Sequence, residues 1–306
     1  MHRDEPFTAM GIRISAVFFF AIMTAMVRLG HQNGISLIEA MFYRNVIAAP
    51  LILAYITVGP GIPTLKTAHL GMHATRSAVG LLGMVFTYGA YILLPLAEAT
   101  TIGFTTPIFA TILSVIFLRE FVGVHRWIAV LIGFCGVLLV TRPGSASIPL
   151  FGALVAVASG LQSAIISIQL RHMGKTEVAT TTVFYFALFS VLVTGAIMLI
   201  CTALGGGWAD YGFHPHRGVA LWSLIGLGVS GTLGQVALSS SLRYGAVSML
   251  VVMDYSNLIW ATVFGLLMFG ELPAPSTWSG APLIIGSGLY IAWREHKRGV
   301  TGRAMT

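Results

Sequence analysis

Residues 80–127 read GLLGMVFTYGAYILLPLAEATTIGFTTPIFATILSVIFLREFVGVHRW, and their pattern comes back 151 residues further along the chain. Gly80-Leu81-Leu82-Gly83 faces Gly231-Thr232-Leu233-Gly234, Glu120 faces Glu271 and Trp127 faces Trp278. Thr105 meets Ser256, Phe109 meets Trp260 and Thr111 meets Thr262 at the same offset. Scattered leucine matches between apolar segments arise by chance. A paired Gly-x-x-Gly, glutamate and tryptophan at one offset do not. The start of each half corresponds more loosely, Phe42-Tyr43 against Phe184-Tyr185.

Outward from this stretch, continuous apolar runs cover about 10–28, 37–58, 72–93, 98–118, 127–141, 149–169, 179–203, 219–241, 246–269 and 278–293. Breakers separate them, among them Gly59-Pro60-Gly61-Ile62-Pro63, Leu94-Pro95-Leu96, Arg142-Pro143-Gly144, Gly205-Gly206-Gly207 and Pro273-Ala274-Pro275. The chain is 56% hydrophobic and 9% charged over 306 residues, with mean hydropathy +0.87. A soluble domain carries about 25% charged residues, because its surface must face water. This surface must face lipid instead. A bilayer crossing takes roughly 20 apolar residues as a helix, so ten crossings leave no room for a sizeable aqueous domain. The expected fold is an all-α polytopic membrane protein of ten transmembrane helices. Its expected units are residues 8–143 and 147–295, of five helices each, and a cytoplasmic tail over 296–306.

Five helices is an odd number, so the two halves must lie oppositely in the membrane. Inverted repeats are a recurrent architecture of secondary transporters, with the substrate site near the midplane between halves. Orientation follows from lysine and arginine on alternate sides. Arg3, Arg13, Lys66, Arg76, Arg119, Arg126, Arg171, Lys175, Arg243, Arg294, Lys297, Arg298 and Arg303 fall on one side, against Arg28, Arg44, Arg142 and Arg217 on the other. Both termini are therefore expected in the cytoplasm. Reading the first run as a cleaved signal peptide would leave nine spans and break the repeat. The net charge of +7 sits in short clusters between apolar runs, which the membrane explains better than a nucleic-acid partner does. Cys135 and Cys201 lie inside apolar runs, give no metal-ligand spacing and read as small hydrophobes.

The segment Thr106-Pro107-Ile108-Phe109-Ala110-Thr111-Ile112-Leu113, running through Phe117-Leu118-Arg119-Glu120 to Trp127 and Gly133-Phe134-Cys135-Gly136-Val137, resembles the EamA-type repeat of the drug/metabolite transporter superfamily. The second copy, Trp260 to Trp278 with Gly270-Glu271, resembles it too, and Arg44 followed by Ala48 is similar to the signature of the family's second helix. The resemblance covers nearly the whole chain. It implies a bacterial inner-membrane transporter, and within the superfamily the layout resembles exporters of amino acids, including aromatic ones. One departure is Leu258, which stands opposite Pro107. On that ground the two halves are not expected to bend alike.

Polar side chains inside a span cost free energy unless they face a partner or a cavity. Ser159, Gln162, Ser163 and Ser167 share one face of the sixth run. The plainer reading is close helix packing with shared hydrogen bonds, which fits the serines as well as a pathway does. The bulkier Gln162 favours a cavity, with Ser163 beside it. Met84, Tyr88, Gln235 and Ser239 are candidates on the mirrored glycine faces of the third and eighth runs, and Thr105 and Phe109 on the fourth. Phe20 and Thr24 complete the set from the first run. Asp254, Asn257 and Trp260 lie in the ninth run, where Asp254 is the acid set well inside a span. Asp254 would bind a substrate ammonium or take up a proton, coupling transport to it; its bland reading is a carboxyl that only holds helices together. Arg28 and Arg44 read as interface cations or partners of Glu39 or Glu98, with attraction of a substrate carboxylate as the lesser reading. Glu120 and Glu271, at helix ends, read as gating or structural charges.

The expectation is therefore a secondary transporter exporting amino acids and related small metabolites by alternating access. The competing substrate classes are drugs, nucleotide sugars and S-adenosylmethionine. Paired cations lining the cavity would favour a phosphorylated solute, and few are legible at midplane depth. A membrane-embedded enzyme would need a cluster of acids, histidines or metal ligands, and none is legible. No catalytic residue, metal or cofactor is expected, and no phosphate-binding loop for ATP is present.

Overall fold

The computed structural model describes residues 6–59, 61–118, 123–142, 148–173, 176–241, 244 and 247–303. Among them every regular element is a helix. In chain order these are α1 (Pro6–Gln32), α2 (Leu37–Val58), α3 (Leu70–Leu93), α4 (Leu96–Gly103), α5 (Thr106–Leu118), α6 (Val124–Thr141), α7 (Leu150–Met173), α8 (Ala179–Leu204), α9 (Val219–Ser241), α10 (Val247–Asp254), α11 (Asn257–Phe269) and α12 (Pro275–Arg303), with short 3-10 turns at Ile62–Leu65 and Gly206–Tyr211. Eight segments among the described residues are long and apolar enough to cross a bilayer, and Trp127–Thr141 of α6 is a shorter apolar helix. α12 runs on to Arg303, through part of the segment read as a tail.

Local chemistry sets the boundaries. Ser36 caps α2 by accepting from Glu39 N, while the Glu39 carboxylate accepts from Ser36 N at 2.9 Å. This reciprocal box satisfies two otherwise orphaned helix donors. Pro95 ends the path of α3 and starts α4, since a proline drives the residue before it out of the helical region.

Two runs expected as continuous helices are broken, at Phe104-Thr105 between α4 and α5 and at Tyr255-Ser256 between α10 and α11. In the first, Pro107 donates no backbone hydrogen bond and restricts Thr106, and Thr105 N turns back to Ile102 O at 3.0 Å. The second has no proline, yet breaks at the matching position. There Ser256 N and Ser256 Oγ both donate to Met253 O, at 3.0 and 2.7 Å. A serine hydroxyl competing for the local carbonyl offers the backbone an alternative to the helix. The expectation of unlike bending, drawn from Leu258, is thus corrected: serine does on one side what proline does on the other. The breaks also meet, with the Phe104 and Tyr255 rings 4.9 Å apart.

The packing is reciprocal. α1 lies along α9 and against α10 and α11, while α7 lies along α3 and against α4 and α5; α2 faces α8, and α6 faces α12. Small residues allow these approaches, as they do between helices in lipid. At the α6–α12 contact a Cβ on Gly280 would stand 2.6 Å from the Gly136 carbonyl oxygen. Outward faces are apolar, with Leu192, Leu199 and Ile200 exposed on α8, a surface suited to lipid rather than water.

Candidate functional site

α2, α3, α7, α8 and α9, with Met23 of α1, enclose a cavity of about 570 Å³. It reaches from the level of Met23 and Tyr88 to Met173, Glu177 and Ala179 at the α7–α8 connection. Of the residues singled out in the sequence, Met84, Tyr88, Ser163, Gln235, Ser239 and Arg44 line it together. Tyr88 is buried, its hydroxyl 3.8 Å from Met23 Sδ. Asn45 donates to Met41 O at 2.8 Å and offers its own oxygen to Arg44 at 3.4 Å.

The remaining candidates stand elsewhere. Gln162 donates to Val79 O at 2.6 Å and so braces α7 on α3. Thr24 donates to Ala21 O of its own helix, Phe20 lies on Gly234, and Thr105 is buried under Gly160. Phe109 stacks edge-on against Phe134, and Trp260 against Phe18 at 4.8 Å. Asn257 opens α11 with its Oδ1 buried and without a hydrogen-bond partner among the described residues. Asp254 makes a two-pronged ion pair with Arg13, both contacts at 2.6 Å. Arg28 pairs with Glu271 rather than Glu39 or Glu98, donates to Leu94 O at 2.9 Å, and lies over the Phe269 ring. Glu120 lies outside the described residues. The two pairs fasten α1 to the break at the end of α10 and to the residue just beyond the C-cap of α11.

Glu39 and Glu98, read as partners for those arginines, have other work. Glu39 is fully buried and touches His216 Nε2 at 2.8 Å and His214 Nδ1 at 3.3 Å, tying the α8–α9 connection to the start of α2. Glu98 accepts from Ala274 N at 2.8 Å and Thr277 Oγ1 at 3.1 Å, holding the start of α12. At the cavity's other end Glu177 accepts from Thr67 Oγ1 at 2.7 Å and stands 3.3 Å from His73 Nε2. The Thr67 hydroxyl, and behind it His73, holds the Glu177 carboxyl below the usual carboxylate range.

Sequence reading missed Arg76, Asn45, Thr182 and Phe186 as cavity residues. By charge distribution along the chain Arg76 falls among the cations on the side expected to be cytoplasmic. Its depth, four residues inside the apolar run at 72–93, marks it as part of a span but does not say which way its side chain reaches. Among the described residues no group of three or more histidines, cysteines or acids could hold a metal ion.

The profile of the EamA-like transporter family matches residues 8–142 and again 150–293. A riboflavin transporter of Vibrio cholerae is 27% identical over 93% of this chain and 93% of its own. A pseudopaline exporter of Pseudomonas aeruginosa is 26% identical over 90% and 92%, and an S-adenosylmethionine uptake transporter of Rickettsia bellii is 27% identical over 84% and 82%. A solved crystal structure superposes with a TM-score of 0.59 at 20% identity, covering 95% of this chain and 98% of its own, so the fold is shared.

Proposed function

This chain belongs to the EamA-like transporter family, and we propose that it is a secondary transporter carrying mid-sized organic metabolites through the α2–α3–α7–α8–α9 cavity by alternating access. The observation that carries the reading is the cavity itself. Its volume of about 570 Å³ holds tyrosine, asparagine, glutamine, serine and arginine side chains inside an apolar bundle, where polar groups cost free energy unless they serve a partner. Pockets of roughly 300–1,000 Å³ suit drug-sized ligands, so a small amino acid would leave much of this one to water. The relatives named above carry riboflavin, pseudopaline and S-adenosylmethionine. Their names favour the wider solute class over amino-acid export.

Ten crossings in two inverted halves, with both termini cytoplasmic in a bacterial inner membrane, complete the proposal. The twofold match of the family profile and the reciprocal packing support it. In this conformation the cavity extends toward the Glu177 end, while Glu39 and its histidines fasten the opposite end. Tyr88, Gln235, Ser163 and Ser239 would offer hydrogen bonds to the solute, with Met84 supplying apolar contact.

The test is counterflow in proteoliposomes with labelled riboflavin, S-adenosylmethionine and a panel of amino acids, with and without a pH gradient. Saturable exchange of a metabolite larger than an amino acid supports the reading. Exchange confined to amino acids would restore the narrower substrate class, and a dependence on the gradient would show proton coupling.

A further inference from the structure

Four arginines of the first three helices are held in two different ways. Arg13 and Arg28, both on α1, face carboxylates, Asp254 and Glu271. Arg44 on α2 and Arg76 on α3 line the cavity and face none. Nε of Arg44, and Nε and Nη1 of Arg76, are buried without a hydrogen-bond acceptor among the described residues. The neighbours these side chains do have are weak: the Asn45 oxygen at 3.4 Å from Arg44, and the Phe186 ring 5.1 Å from the Arg76 guanidinium. Among the described residues the one acid on the cavity wall is Glu177, already engaged by Thr67 and His73. A buried donor left unmet costs free energy, and more when it is charged. Snorkelling to the interface would relieve that cost, but buried nitrogens are not at an interface.

We propose that Arg44 and Arg76 form an anion-binding subsite of the cavity, taking a carboxylate or phosphate group of the transported solute. A guanidinium presents a rigid fork of donors that matches the paired oxygens of either anion. Phe186 supports the Arg76 plane from one face, as aromatic rings do for cations. Gly80 and Gly231 leave the guanidiniums room, since a Cβ on Gly80 would collide with Arg76 Nη1 and one on Gly231 would lie 3.4 Å from Arg44 Nε. Tyr88 and Gln235, which line the same cavity, are then left for the remainder of the solute. The inference rests on the transporter reading for its cavity and adds the charge of the cargo.

The experiment uses matched probes differing by one anionic group: riboflavin and riboflavin 5′-phosphate, adenosine and adenosine 5′-phosphate, phenylalanine amide and phenylalanine. Binding to the purified full chain is read as a shift in its thermal unfolding midpoint, and transport as counterflow. At least one member carrying the anionic group should bind about tenfold more tightly than its partner lacking it. Arg44→Gln and Arg76→Gln should each reduce that ratio to near one, and Arg76→Lys should restore part of it. The anionic probe should also protect Arg44 and Arg76 of the unmodified protein from phenylglyoxal, read by mass spectrometry, which keeps the test decisive if a variant does not fold. Equal or weaker binding of every anionic member, or a preference that survives both substitutions, would overturn the subsite and leave the transporter standing. Anion binding without counterflow of any probe would sink transport of those solutes and leave the subsite standing. A carboxylate preference without a phosphate preference, or the reverse, identifies which anion the site takes.

Discussion

Asp254 shows how a single residue changes meaning with its neighbour. In sequence it is an acid inside a span, open to a proton or an ammonium; in the fold it grips Arg13 with both oxygens. Breaking a buried pair by removing one partner costs about 3–5 kcal/mol, whereas exposed pairs are worth about 0.2–1 kcal/mol. Arg13 is 9% exposed but the Asp254 side chain 37%, so screening places Asp254→Asn between these limits, at about 1–2 kcal/mol. The double variant Arg13→Gln/Asp254→Asn should then unfold at a higher temperature in detergent than Arg13→Asp alone, which sets two acids face to face. An unfolding midpoint of Asp254→Asn equal to that of the unmodified protein would show that the pair stabilises nothing. Glu177 makes a second prediction. Its carboxyl sits below its unfolded value because of Thr67. The stability it contributes is present above the ordinary carboxylate range and is lost as pH falls through the folded value. Thr67→Val should raise that folded value and narrow the difference, so its acid-side loss of unfolding temperature should be shallower than that of the unmodified protein. Arg76 marks the limit of legibility at this scale. Position along the chain separates loop from span, but cannot tell a long side chain reaching out to water from one reaching into a cavity.

Elements were far more legible than contacts. The apolar runs and their Gly-Pro breakers foretell the helices, and the run at 37–58 coincides with α2. Periodicity failed at the breaks within the fourth and ninth runs, where the short polar stretches Thr105-Thr106 and Asp254-Tyr255-Ser256-Asn257 sit between longer apolar ones. So short a polar stretch changes hydrogen bonding while each run as a whole still averages as apolar. Gln162, chosen for its cost in lipid, meets that cost on a backbone carbonyl of α3; sequence gave the debt but not the creditor. Helix approach is the property most open to test. Gly280→Val would press a side chain against the Gly136 carbonyl and Val140, and backbone cannot step aside as a flexible side chain can. Overpacking of this kind costs about 1–3 kcal/mol. Gly286→Ala on the same helix meets nothing within 4 Å and should be nearly neutral. Similar unfolding midpoints for the two variants would remove the α6–α12 approach as a source of stability.

The whole molecule joins a repeat read in sequence to a reciprocity seen in packing. The first helix of each segment matched by the family profile lies against the broken helix of the other segment, α1 on α10–α11 and α7 on α4–α5. The orientation proposed from charge predicts opposite accessibility for the two ends of the bundle. With Cys135 and Cys201 replaced by alanine, a cysteine at Thr67 should react with a membrane-impermeant maleimide only from the cytoplasmic side. One at Asp210 should react only from the periplasmic side. Labelling of both from one face would overturn the inverted arrangement.

The meeting of Phe104 and Tyr255 at the two helix breaks has an evolutionary consequence. Copies of a duplicated segment are free to drift apart wherever they serve separate neighbours. Phe104 and Tyr255 are each other's neighbour, so a change of ring size at one position alters the fitness of every change at the other. These two sites should covary across the family more strongly than either does with the residues beside it in the chain.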